Sequence, residues 1–244
     1  YVADYNPLLP PRNFIYAHKS DSLGALIAET NINSNNLYAE AIFRYLGLQY
    51  ATPATIHNSC DFLREFWKRR GVDVSTSLVK DGCGLAPQDA VSAATFVQLL
   101  RYMAHSKYAD VWFRSLPVSG QTGTLKSLCR GTELEGRIHA KSGTISGTKN
   151  FAGYIDMPDG EKWVFAILIN SAPGKARNIQ TVIEKYAEEI RKQQSSASSD
   201  EKNIIQVNTK EVDENESVEF DSIGANCNNE KYLPSYPKRA HCRN

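Results

Sequence analysis

The chain has 244 residues, 41% hydrophobic and 23% charged, with 28 Lys and Arg against 27 Asp and Glu for a formal net charge of +1. That is enough apolar material for a real core, and so even a balance leaves no one-signed field to draw in nucleic acid or an anionic membrane. The longest apolar run, residues 163–169, falls far short of the ~20 residues a spanning helix needs, so it reads as a buried strand and no transmembrane segment is expected.

The chain opens without a basic-then-apolar leader and without an initiating Met, which reads as a processed product or a fragment. Residues 1–18 carry Pro7, Pro10 and Pro11 and read as an extended lead-in. Residues 22–30 form a short helix with Leu23, Leu26 and Ile27 on one face. A polar break at 31–36 follows, then a helix over 37–46 closed by Gly47. A third helix spans 55–70 and ends in Lys68-Arg69-Arg70, where cations suit the helix dipole. The β-branched stretch 75–79 is a short extended piece ending in the Asp81-Gly82 turn. Ser92 caps a helix over 93–105 whose apolar stripe is Phe96, Val97, Leu100 and Met103. A loop over 116–124 holds Pro117, Gly120 and Gly123.

The next stretch is the most regular. Strands over 137–143, 150–156 and 163–170 are separated by turns at Gly147 and at Pro158-Asp159-Gly160, which gives an antiparallel meander. A helix over 176–191, with Ile179, Val182, Ile183, Tyr186 and Ile190 on one side, is expected to cover one face of that sheet. The fold class is therefore mixed α/β of the α+β type. Composition changes at Ser195-Ser196-Ala197-Ser198-Ser199. Residues 1–193 then read as a folded unit and 194–244 as a polar, disordered tail, with a short strand at 204–207 and one glycosylation-type Asn215-Glu216-Ser217. The cysteines, Cys60, Cys83, Cys129, Cys227 and Cys242, form no C-x-x-C pair, and the histidines form no spaced metal set. No metal or organic cofactor is expected, and the odd count leaves at least one thiol unpaired.

Two polar clusters carry chemistry. Lys141-Ser142-Gly143-Thr144 ends a strand at a hairpin: the lysine supplies charge, Ser142 and Thr144 supply hydroxyl donors, and Gly143 lets another backbone approach. The edge of such a strand can add an extended peptide. Ser34 and Asn36 lie in the polar break, where a hydroxyl can relay a proton and an amide can hold a carbonyl; in a strand-like turn residues i and i+2 face one side. Taken singly, each cluster reads as a solvated lysine or a helix cap, and His139 as a half-buried strand residue. Their order and separation resemble two of the three motifs of the penicillin-recognising serine enzymes, whose third motif is Ser-x-x-Lys.

The residues between sharpen that likeness. Lys80-Asp81-Gly82-Cys83-Gly84-Leu85, Val91-Ser92-Ala93-Ala94-Thr95, Leu116-Pro117-Val118-Ser119-Gly120, Gly123-Thr124-Leu125, Ala140 to Thr144 and Asn150-Phe151-Ala152-Gly153-Tyr154 together resemble the D-alanyl-D-alanine carboxypeptidases of the class C penicillin-binding proteins, over roughly residues 15–190. Cys83 stands where that family usually has serine, and Ser142 where it has threonine. The resemblance implies a β-lactamase/DD-peptidase-like fold, an antiparallel sheet flanked by helices, incomplete in this chain. It implies an extracytoplasmic, periplasmic setting and a peptidoglycan stem peptide ending in D-Ala-D-Ala as substrate, with β-lactams as acylating inhibitors. It assigns Ser34, Asn36 and Lys141 to catalysis and Ser142, Gly143 and Thr144 to the terminal carboxylate, with the Thr144 N–H as an oxyanion donor.

The nucleophile is expected upstream of residue 1. Ser77-Leu78-Val79-Lys80 and Ser146-Gly147-Thr148-Lys149 have the right spelling, but serine and lysine must share a helix face, and one lies in a β-rich stretch and the other in a hairpin turn. A peptide-binding fragment without catalysis and a β-lactamase-like hydrolase stay open as alternatives. Without upstream strands the 163–170 strand would present an apolar edge, so poor solubility is expected.

Overall fold

The computed structural model describes residues 16–50, 53–145, 147–170, 181, 184, 185, 187–189, 204, 205, 222 and 223. Among the described residues five helices, α1 (Leu23–Asn33), α2 (Asn36–Tyr50), α3 (Ile56–Lys68), α4 (Ala93–Ala104) and α5 (Ala109–Ser115), precede a three-stranded antiparallel sheet of β1 (Ile138–Ile145), β2 (Thr148–Asp156) and β3 (Lys162–Ile169), in spatial order β1-β2-β3. A further helix includes Thr181, Glu184, Lys185 and residues 187–189. The five apolar positions expected to form its inner face lie outside the described residues, as does most of the segment 194–244. Within that segment β4 (Ile204–Ile205) pairs with β5 (Ser222–Ile223), where a strand over 204–207 was expected.

Strand periodicity builds the layers. Ile138 and Ala140 of β1, Phe151 and Ile155 of β2, and Trp163, Phe165, Ile167 and Ile169 of β3 fall on one face, packed with Leu125, Leu128, Leu134 and Ala187. The alternate residues, among them Tyr154, Ala152, Val164 and Ala166, face α4 and α5 through Val97, Leu100, Trp112 and Phe113. Tyr154, fully buried, fastens that side: its hydroxyl donates to the Leu100 carbonyl at 2.7 Å and accepts from the Trp112 indole at 2.9 Å. Gly153 is required on the other side, because a Cβ there would stand 2.2 Å from the His139 carbonyl.

Several boundaries differ from expectation. The polar break is two residues, not six: α1 continues through Asn31, Ile32 and Asn33, held by Asn31 donating to Ser115 Oγ at 2.9 Å and Asn33 to Glu29 at 2.7 Å. Helix α2 does not stop at Gly47 but runs to Tyr50, and that glycine is where α3 crosses, since a Cβ would stand 2.4 Å from Ser59 Oγ. Helix α5 was not foreseen. The 75–79 stretch supplies only one bridge, Leu78 to Ala90. Ser92 caps α4 as expected, accepting from the Thr95 N–H at 3.0 Å.

Candidate active site

Ser34 and Lys141 meet. The Lys141 ammonium donates to Ser34 Oγ at 2.8 Å across 107 positions of sequence, and also to the Ser142 carbonyl at 2.5 Å. Burial pushes the Lys141 pKa below the ordinary lysine value. Among the described residues no carboxylate lies within ion-pair reach of its ammonium.

Each partner is delivered by rigid structure. Ser34 ends α1 in the left-handed conformation, φ 55 and ψ 49, with its N–H on the Thr30 carbonyl. A non-glycine residue takes that conformation at a cost of about 1–2 kcal/mol, and here it is trapped between two helices, because the next residue, Asn35, caps α2 by accepting from the Tyr38 N–H at 3.1 Å. The end of α1 is tied through Asn31 and Ser115 to α5, and α5 through Trp112 and Tyr154 to the sheet. Asn36 falls differently from expectation. The strand-like turn that would place it on the side of Ser34 does not exist: Ser34 is left-handed and Asn36 opens α2 as an exposed residue.

On β1 the free edge can be located by alternation. Ser119 N–H donates to the Ile138 carbonyl and Ala140 N–H to the Pro117 carbonyl, so even-numbered residues of β1 aim their backbone groups away from β2. The 117–119 loop covers the edge only at Ile138 to Ala140, with Val118 bridged to His139. Beyond it the same alternation turns Ser142 and Thr144 outward. The Ser142 carbonyl is taken by Lys141; the Thr144 N–H lies on an exposed residue. Gly143 has open space beside it, the nearest atom to an added Cβ being Asn150 Cβ at 4.0 Å. The Ser142 hydroxyl donates to Thr124 Oγ1 at 2.8 Å, from the 3-10 turn Gly123–Leu125. Sequence reasoning placed Thr124 only inside a resembling block and gave it no role.

His139 is an ordinary strand residue, as its sequence context implied: half-buried, with Nε2 3.4 Å from Asp156 Oδ2. Asp156 also accepts from Lys162. Burial alone would raise the Asp156 carboxyl, but hydrogen bonds from His139 and Lys162 hold it below the usual range. Ser77 and Lys80 lie outside any helix, and Ser146 lies outside the described residues. Two further Ser-x-x-Lys spellings, Ser199 to Lys202 and Ser235 to Lys238, escaped the sequence reading and also lie outside the described residues. Among the described residues no cluster of His, Cys, Asp and Glu could hold a metal, and no helix is long and apolar enough to cross a membrane. Cys60, Cys83 and Cys129 are free thiols; burial pushes Cys129 up to about 12.

The sequence matches the D-Ala-D-Ala carboxypeptidase 3 (S13) family over residues 10–190. It is 34% identical over 164 residues to a D-alanyl-D-alanine carboxypeptidase of Actinomadura sp., covering 65% of this chain and 30% of that protein. It is 27% identical over 158 residues to a D-alanyl-D-alanine carboxypeptidase of Haemophilus influenzae, covering 63% and 33%. The chain thus spans about a third of the length of the curated relatives it matches. The fold is similar to that of penicillin-binding protein 4 of Haemophilus influenzae in complex with a β-lactam, at a TM-score of 0.63 and 23% identity over 68% of this chain and 41% of that one. It is also similar to a predatory endopeptidase of Bdellovibrio bacteriovorus acylated by penicillin G, at a TM-score of 0.55 and 19% identity over 70% and 45%.

Proposed function

The chain belongs to the D-Ala-D-Ala carboxypeptidase (S13) family, and from that premise we propose that it forms the substrate-holding wall of a serine D-alanyl-D-alanine carboxypeptidase or endopeptidase acting on peptidoglycan stem peptides. The observation that carries the proposal is the 2.8 Å contact between Lys141 and Ser34 beside a strand edge that the 117–119 loop covers only at Ile138 to Ala140. A stem peptide ending in D-Ala-D-Ala would lie along that edge. Its terminal carboxylate would take hydrogen bonds from Ser142 and Thr144 in the field of Lys141. Gly143 would let the two backbones close, and the outward Thr144 N–H would be one donor to the oxyanion. Ser34, in contact with the ammonium, would pass a proton to the leaving amine, and Asn36, exposed at the start of α2, would hold a substrate carbonyl.

The attacking serine is assigned to a longer polypeptide carrying this chain. The absence of a helical Ser-x-x-Lys among the described residues supports this, as does the greater length of the relatives. That same absence favours a second reading, in which these 244 residues bind stem peptides and catalyse nothing. The setting is taken to be extracytoplasmic, and residues 194–244 are taken to be a polar tail. Fluorescent penicillin tests the assignment: stable covalent labelling is expected on the longer polypeptide and none on residues 1–244. Labelling of the 244-residue chain would mean that it holds its own nucleophile, and rapid loss of label from the longer one would mark a β-lactamase-like hydrolase.

A further inference from the structure

Ser142 sits on a strand end where its own covalent structure does little to aim its hydroxyl. Serine has no β-branch, so its three χ1 wells stay more evenly open than those of threonine. In the structure a neighbour fixes it: Ser142 Oγ donates to Thr124 Oγ1 at 2.8 Å. Thr124 is itself immobilised from both sides. Gly123 before it has φ 53 and lies so close to α1 that an added Cβ would stand 2.2 Å from the Ile32 carbonyl. Leu125 after it is fully buried, and its carbonyl accepts from the Gly120 N–H at 3.0 Å. One rigid turn therefore touches both arms of the site, the last turn of the helix that ends in Ser34 and the hydroxyl of Ser142.

We propose that Thr124 is a positioning residue for carboxylate recognition, holding the Ser142 hydroxyl ready and then polarising it. A hydroxyl carries one proton and two acceptor lone pairs. In the free protein the Ser142 proton points at Thr124. When a carboxylate oxygen takes that proton, Thr124 turns its own onto the Ser142 oxygen. Two hydroxyl rotors turn, and no covalent bond forms or breaks. The resulting chain, Thr124 to Ser142 to carboxylate, strengthens the terminal hydrogen bond by mutual polarisation. The inference rests on the assignment of Ser142 to the carboxylate anchor.

The test compares two forms of one probe, diacetyl-Lys-D-Ala-D-Ala with a free C-terminal carboxylate and the same peptide as its C-terminal amide. Both are titrated into the 244-residue chain and followed by NMR. The wild type is expected to prefer the acid. Thr124→Val, which keeps the shape and removes the hydroxyl, is expected to lose about tenfold of that preference with its affinity for the amide unchanged. Thr124→Ser is expected to restore it, and Ser142→Thr, stiffened by its own branch, to shrink the loss. Should Thr124→Val fail to fold, Thr124→Ala gives the same comparison. If the threonine variants weaken acid and amide equally, or leave the preference intact, the positioning role is wrong while the anchor stands. A wild type that does not distinguish acid from amide removes the anchor assignment and this inference with it.

Discussion

A lysine ammonium withdrawn from water, with a hydroxyl and a carbonyl as its recorded partners, works against the fold that holds it. Lys141 is in that position. Its folded pKa is depressed, so at pH values between that pKa and the ordinary lysine value the unfolded chain binds more protons than the folded one. Stability therefore rises with pH through that window, as the buried charge is given up. Lys141→Met removes the charge and keeps the volume. It is expected to leave thermal stability unchanged or to raise it by about 1 kcal/mol, to lose that pH dependence, which then appears as the difference between the wild-type and variant melting curves, and to abolish binding of the D-Ala-D-Ala probe. A Lys141→Met protein several degrees less stable than wild type at neutral pH would mean that the lysine serves the fold. The sequence pointed to Lys141 and Ser34 by motif order alone; that they touch depends on Ser34 being left-handed, a conformation that nothing in Asn33-Ser34-Asn35 announces.

At the scale of the element, two glycines of neighbouring strands separate architecture from site. Gly153 is pressed against the backbone of β1, with the His139 carbonyl 2.2 Å from where a Cβ would go, whereas Gly143 has nothing nearer than 4.0 Å. Gly153→Ala is expected to cost about 3 kcal/mol or more, because backbone must move. Gly143→Ala is expected to leave the melting temperature unchanged and to weaken peptide binding at least tenfold, since the space it fills is the space an incoming strand would use. Comparable destabilisation by the two substitutions would contradict the division. The strands were legible because alternation and turn residues agree over 138–169. The helices were less so. In α5 seven residues are too few to establish a period, and Tyr108 at its start makes no side-chain capping bond. Gly47 reads as a stop in one dimension and is a crossing point in three. Thr124 was invisible as a site residue because its importance comes from a contact across 18 positions.

Over the whole molecule, the described residues leave an apolar stripe exposed on α2. β3 is an outer strand of the three-stranded sheet, and β4 of the same chain lies against it. On α2, Leu37 and Tyr45 are 75% and 59% exposed two turns apart, and beside that helix an open groove of about 490 Å³ runs along α1 past Leu26, Ile32 and Tyr38. Isolated exposed leucines mean little, but an apolar helix stripe beside an open groove is an association surface. The chain is therefore expected to self-associate with rising concentration, measured as an increase in mass by light scattering during size exclusion. Leu37→Lys with Tyr45→Lys is expected to abolish the association, because those charges close the helix stripe; association that persists in the double variant would place it elsewhere on the molecule. The stripe was not legible in the sequence: apolar residues at helical spacing over 37–46 announce a helix and do not say which of them pack, and the structure leaves Leu37, Ala41 and Tyr45 exposed. A sharp thermal transition with a monomeric mass at every concentration would show that the stripe is not adhesive.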